Sequence, residues 1–270
     1  MCLLRQPRHR CPRLTCLHPM KKKPVVLRIS TSLAARLNPG FWLFKVSGLA
    51  LWLSGAVMAQ NTLPDTTAQR VVACVACHGK EGRAASDGFY PRIAGKPAGY
   101  LYNQLINFRE GRRKYPLMIY MVDHLSDAYL HEMAEYFSAQ HPPYPAPQPV
   151  KASAAVLERG QMLVQSGDGS KNVPACVACH GKSLTGIAPS IPGLVGLPHD
   201  YMSAQFGAWK NGTRHATAPD CMAQISQRLS VEDISAALAW LTAQPIPAQT
   251  APAAVPSQKL PLACGSLPQQ

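Results

Sequence analysis

The sequence predicts an all-α chain built as two tandem modules of about 100 residues each, an ordinary domain size. Three observations carry this. Cys74-Val75-Ala76-Cys77-His78-Gly79-Lys80 recurs residue for residue as Cys176-Val177-Ala178-Cys179-His180-Gly181-Lys182. Behind each copy, apolar residues recur at helical spacing and at matching offsets. Convincing runs of alternating apolar and polar residues, which would mark strands, are missing from the sequence.

The elements follow in chain order. Residues 1–59 hold ten of the 27 Lys and Arg and none of the 14 acids. Within them the apolar stretch Val46–Met58 follows Lys45 and ends in Val57-Met58-Ala59. That order is the basic, apolar, small-residue pattern of a secretory leader, with cleavage expected after Ala59. A retained anchor is the alternative, although the apolar core is short for a membrane span of about 20 residues. Met20-Lys21-Lys22-Lys23 reads as a more natural start, which would make residues 1–19, with Cys2, Cys11 and Cys16, an over-extended beginning.

Residues 60–140 form the first module and 151–243 the second. Pro91-Arg92-Ile93-Ala94-Gly95 in the first answers Pro192-Gly193-Leu194-Val195-Gly196 in the second. A helical stretch follows in each. Tyr100, Leu101, Gln104, Leu105 and Phe108 match Tyr201, Met202, Gln205, Phe206 and Trp209. Each module closes on Leu-Ser and a last helix, with Ser126 and Ser230 as N-caps and Asp233 completing a capping box. Between the modules, residues 141–150 are a proline-rich linker that cannot continue a helix and favours an extended strap. Residues 244–270 are a Pro/Ala-rich tail containing Cys264. Each module is lightly cored and is expected to depend on the group it wraps.

The charge sorts the candidate partners. The whole chain carries +13, but beyond residue 59 there remain 17 bases against 14 acids, or +3. The basic character belongs to the leader, so nucleic-acid binding loses its main support. Arg109, Arg112, Arg113 and Lys114 read most simply as a solvated loop, with steering of an acidic partner as the alternative.

The repeated string carries the chemistry. Cys-x-x-Cys-His is the attachment signature of c-type haem. Thiols three positions apart span the two vinyl groups of one porphyrin, and the adjacent histidine becomes the proximal iron ligand. Half a zinc site or a thioredoxin-like pair is the bland reading of one copy. Two identical copies a module apart point instead to two covalent haems, held by Cys74, Cys77 and His78 and by Cys176, Cys179 and His180.

The sixth position separates carriers from enzymes. Met118 lies seven residues before Leu125, and Met222 lies seven before Leu229. This shared register makes them the expected distal ligands, with Met121 the competitor in the first module. His124, His131, His199 and His215 have no counterparts in the other module and read as surface residues. Pro91 and Pro192 are expected to offer a carbonyl to the proximal histidine N–H, fixing its orientation. Cys221 and Cys264 remain after the four haem cysteines, and an even remainder in an oxidising compartment suggests a disulfide. The alternatives are free thiols, or Cys221 as an iron ligand in one redox state.

These motifs resemble those of the di-haem class I cytochromes c of the cytochrome c4 type, over about residues 67–243. The resemblance rests on the two haem strings, Pro91-x-Ile93-Ala94-Gly95, the Tyr100–Gly111 stretch and the two Met-to-Leu-Ser runs. It implies two tandem cytochrome c (class I) domains, each wrapped around one haem c, with His78/Met118 and His180/Met222 as axial pairs. It also implies electron delivery to a terminal oxidase. The tail with Cys264 and the Asp220-Cys221 pair depart from the type and leave the partner open.

The expected protein is a periplasmic, monomeric electron carrier, at most peripheral to the membrane. It would take electrons from a quinol-oxidising complex or a dehydrogenase and pass them to an oxidase, without catalytic residues of its own. The alternatives are a haem subunit of a membrane-bound dehydrogenase and a di-haem enzyme of the thiosulfate-oxidising or peroxidase type.

Overall fold

In the computed structural model, residues 65–84, 88–147, 149–254 and 259–267 are described, and all belong to one unit, Thr62–Gln270. The leader assigned to residues 1–59 lies outside them.

The first module opens on two short helices, α1 (Thr67–Arg70) and α2 (Val72–His78), joined at Val71, whose side chain is wholly buried. They are followed by α3 (Ala98–Arg109), α4 (Pro116–Val122) and α5 (Asp127–Ser138). The second module comprises α6 (Ala154–Gln165), α7 (Cys176–His180), α8 (His199–Lys210), α9 (Cys221–Arg228) and α10 (Val231–Ala243). A two-residue antiparallel ladder, β1 (Gly186–Ile187) with β2 (Ile191–Pro192), is the strand content of the described residues.

Local chemistry explains where these helices begin. Ser126 Oγ accepts from Tyr129 N–H, and Ser230 with Asp233 forms the full capping box at the start of α10. The sequence reading picked out α3, α5, α8 and α10 but not α4, α6 and α9. Those three start on Pro116 at the first helical position, a Ser153 cap and an Asp220 cap, and each cap accepts a backbone N–H. Proline presets the helical φ and lacks only a donor that a first turn would leave unused.

Each module has its own core. Val71, Leu101, Phe108, Leu130, Met133 and Phe137 centre the first, and Leu163, Val164, Leu197, Met202, Leu238 and Leu241 the second. Fully burying one such side chain is worth about 1.5–3 kcal/mol. In the second module α6 and α10 touch backbone to backbone. A Cβ at Gly160 would lie 2.1 Å from the Ala236 carbonyl oxygen, so only glycine fits there.

The seam between the modules corrects one expectation. The Arg109–Lys114 segment is not a solvated loop. Arg113 pairs with Arg214 as an antiparallel bridge, Lys114 N–H donates to Thr213 O (2.8 Å), and His215 N–H donates to Arg112 O (2.7 Å). Because the repeat builds the same loop after α3 and after α8, the two copies can pair with each other. Arg109 meanwhile holds Leu125 O and Asp127.

Further contacts close the seam. Lys96 Nζ crosses to Gly193 O at 2.7 Å. Arg92 donates to the carbonyls of Pro142 and Pro143 and lies 3.9 Å from the centre of the Tyr144 ring, which ties down the proline-rich strap. The tail folds back as well. Ala253 exchanges backbone hydrogen bonds with Ala188 and Gly186, Asn103 donates to Ser266 O, and a disulfide joins Cys221 to Cys264.

Candidate haem sites

The two attachment strings end helices in the same way. His78 is the last residue of α2 and His180 the last of α7, and each is followed by a glycine at positive φ, Gly79 (75°) and Gly181 (82°). A left-handed residue stops the helix, so the histidine closes it at a fixed angle. Cys74 and Cys77 lie one turn apart on α2, as Cys176 and Cys179 do on α7, which puts both thiols of a string on one helical face.

Both histidines are buried, at 8% exposure. His78 Nδ1 lies 3.0 Å from Pro91 O, and His180 Nδ1 lies 2.8 Å from Pro192 O. Burial is the main cause that holds both imidazoles below their ordinary pKa, and therefore neutral. With Nδ1 donating to the carbonyl, Nε2 keeps its lone pair, as an iron ligand must.

The four thiols are free and half-buried. Burial raises the pKa of Cys74 and Cys179 and pushes Cys176 up to about 11. A redox-active or metal-binding cysteine is tuned the other way. Among the described residues, no group of three or more His, Cys, Asp or Glu is placed to hold a metal ion. Paired free thiols on one face, beside a neutral buried histidine with one nitrogen already engaged, fit covalent haem attachment.

Met118 is the third residue of α4 and packs, with Cys74, against the core of the first module. Met121 on the same helix is exposed. Met222 is the second residue of α9 and half-buried, next to the Cys221–Cys264 bridge. Cys221 is engaged in that disulfide in this structure and is not a free thiol. His124, His131, His199 and His215 are all exposed.

Sequence reasoning missed the polar ring between the sites. Gln104 Oε1 accepts from Arg113 (3.1 Å) and Arg214 (3.2 Å), and Gln205 Oε1 accepts from both at 2.7 Å. Arg113 stacks on Phe108 and Arg214 on Trp209. Arg113 also depresses the His78 pKa, though less than burial does, so it lies within electrostatic reach of the first site. The signal was present as one more match in the repeat, Gly111-x-Arg113 against Gly212-x-Arg214.

No protein-family model matches the chain. Over 174 residues it is 38% identical to the thiosulfate dehydrogenase electron acceptor of Thiomonas intermedia (strain K12), an alignment spanning 64% of this chain and 79% of that one. Over 195 residues it is 30% identical to cytochrome c4 of Pseudomonas aeruginosa, spanning 72% of this chain and 94% of the relative. Among solved structures, reduced cytochrome c4 from Pseudomonas stutzeri superposes with a TM-score of 0.54 at 28% identity, covering 66% of this chain and 96% of that one. Two class I cytochrome c folds in tandem, with a haem attachment string closing a helix in each, agree with these relatives. The chain belongs to the di-haem c-type cytochromes of the cytochrome c4 kind, proteins of electron transfer.

Proposed function

We propose that this cytochrome is a periplasmic electron carrier that accepts electrons from a dehydrogenase, with a thiosulfate dehydrogenase as the leading donor, and passes them to a terminal oxidase. The donor follows from the 38% identity to a protein named for accepting electrons from that enzyme. When bound, each haem supplies a one-electron couple of its iron, and the chain's residues do the rest.

The observation that carries this reading is the duplication of the site. Pro91 O and Pro192 O orient His78 and His180, while Met118 and Met222 stand at the same offset in each module. We assign Met118 and Met222 as the residues that would fill the remaining ligand position of each iron and so close both sites. Closed sites leave no position for peroxide, and the Cys221–Cys264 bridge removes the cysteine that a thiosulfate-oxidising haem would need. On this reading the protein has no catalytic residues.

No helix among the described residues is long and apolar enough to cross a membrane. The experiment is an optical redox titration of the haem-loaded protein. Two high-potential waves, with the far-red methionine-to-ferric-iron band accounting for both haems, are expected. A low-potential haem without that band would overturn the assignment. Rapid reduction by a thiosulfate dehydrogenase supplied with thiosulfate, set against reduction by an unrelated donor, tests the partner.

A further inference from the structure

The repeat makes the two methionine-bearing helices comparable position by position. With Met118 set against Met222, Leu117 answers Cys221, Tyr120 answers Gln224 and Met121 answers Ile225. On α4 these three side chains are exposed, Leu117 at 56% and Tyr120 at 81%. On α9 their counterparts are all half-buried, and Cys221 carries the disulfide to the tail. One face is therefore open in the first module and engaged in the second.

What engages it is the tail. Beyond the Cys221–Cys264 bridge, Gly265 N–H donates to Pro219 O (2.9 Å). Gly265 runs so close to the loop before α9 that a Cβ there would lie 2.1 Å from Ala218 O. Ser266 O accepts from Asn103 of α3, which fastens the same stretch to the first module. Further back, Ala253 is bonded to Gly186 and Ala188, on the loop that leads to Pro192. The tail is thus held on the histidine side and on the methionine side of the second site.

The open face is apolar and uncharged. Phe89, also exposed, lies 6.0 Å ring to ring from Tyr115, the residue before α4. Lys114 and Asp123, at the two ends of α4, carry opposite charges. The stretch that carries Cys264, residues 260–267, likewise holds no charged side chain. The second module's face accepts an uncharged apolar cover, and clustered exposed apolar side chains mark interaction sites.

We propose that the tail is a disulfide-locked cap closing the second module's methionine-side face, so that redox partners dock on the first module alone, through Phe89, Leu117, Tyr120 and Met121. The partner this face fits is an electron-transfer protein whose own docking surface is apolar and uncharged. This rests on the carrier reading above. Donor and acceptor then share one face and bind in turn.

The test measures, by surface plasmon resonance, binding of a thiosulfate dehydrogenase to the full-length, haem-loaded protein and its variants. Tyr120→Glu and Leu117→Lys should each raise Kd about tenfold, while Gln224→Glu, at the capped position, should stay within about twofold. Losing affinity to added charge of either sign marks an apolar contact, and tighter binding by one of the two would overturn it. Equal losses from Gln224→Glu and Tyr120→Glu would show both faces in use and overturn the cap. Untying the tail with Cys221→Ser/Cys264→Ser should restore part of the binding lost in Tyr120→Glu, and no restoration would overturn the cap as well. If the wild type does not bind the dehydrogenase, the donor named above is wrong, and the same pattern is required of a purified terminal oxidase. Binding to neither would overturn the carrier reading and this face together.

Discussion

Arg113 and Arg214 donate to the same two side-chain oxygens, Gln104 Oε1 and Gln205 Oε1, so each module's arginine is held by its own glutamine and by its neighbour's. The ring closes the seam and makes one module's loop part of the other's environment. Removing one acceptor takes a hydrogen bond from both guanidiniums at once. Gln205→Ala is expected to destabilise the haem-loaded protein by about 1–3 kcal/mol. Urea unfolding followed by far-UV circular dichroism reads this as a lower midpoint, and an unchanged midpoint would show that the shared bonds carry no weight.

Lys96 connects the seam to pH. Burial, assisted by the Arg92 charge, pushes its ammonium down to about 7 from an ordinary value of 10.5. Between those values the unfolded chain holds a proton that the fold does not. Stability contributed by this group therefore rises with pH from about 7 to 10.5 and is flat below. The difference in unfolding midpoint between wild type and Lys96→Met should change across that window and level off beneath it. A difference independent of pH would mean that Lys96 keeps its proton in the fold.

The methionine assignment separates residues on one helix. Met118→Ala should remove about half of the far-red ferric band and lower one potential, because a thioether ligand favours the ferrous state. Met121→Ala, at an exposed position on the same helix, should change neither. The reverse pattern would transfer the ligand role to Met121.

The Cys221–Cys264 bridge spans 43 residues and holds the tail against α9, where Met222 sits. The double variant Cys221→Ser/Cys264→Ser is expected to lose about 2–4 kcal/mol of stability. Its haem spectrum should stay that of wild type, and limited proteolysis should clip the tail first. A spectral change at the second haem would give Cys221 or its bridge a direct part in the ligand field.

At Gly160, where α6 meets α10, any side chain collides with the Ala236 carbonyl. Gly160→Ala should cost about 1–3 kcal/mol through overpacking. Thermal unfolding would show it, and an unchanged Tm would mean that the two helices can move apart without loss.

The sequence by itself determined whatever depends on near neighbours along the chain. The Cys-x-x-Cys-His strings are confined to one turn of helix, so spacing alone puts the thiols on one face with the histidine at the end. The Ser126 and Ser230 caps are likewise satisfied within three residues. Duplication extended that reach, because a residue at the same offset in both modules declared its place without a structure. Short helices such as α4 and α9 escaped notice because one or two turns carry too little periodicity to register. The parity of the cysteines suggested a Cys221–Cys264 pair, but proximity joined them. Only the tertiary structure decided the seam: the shared glutamines and the buried Lys96. Those depend on two surfaces meeting, and a charged or polar residue that reads as solvated along the chain becomes interior once an equivalent loop from the other module closes over it.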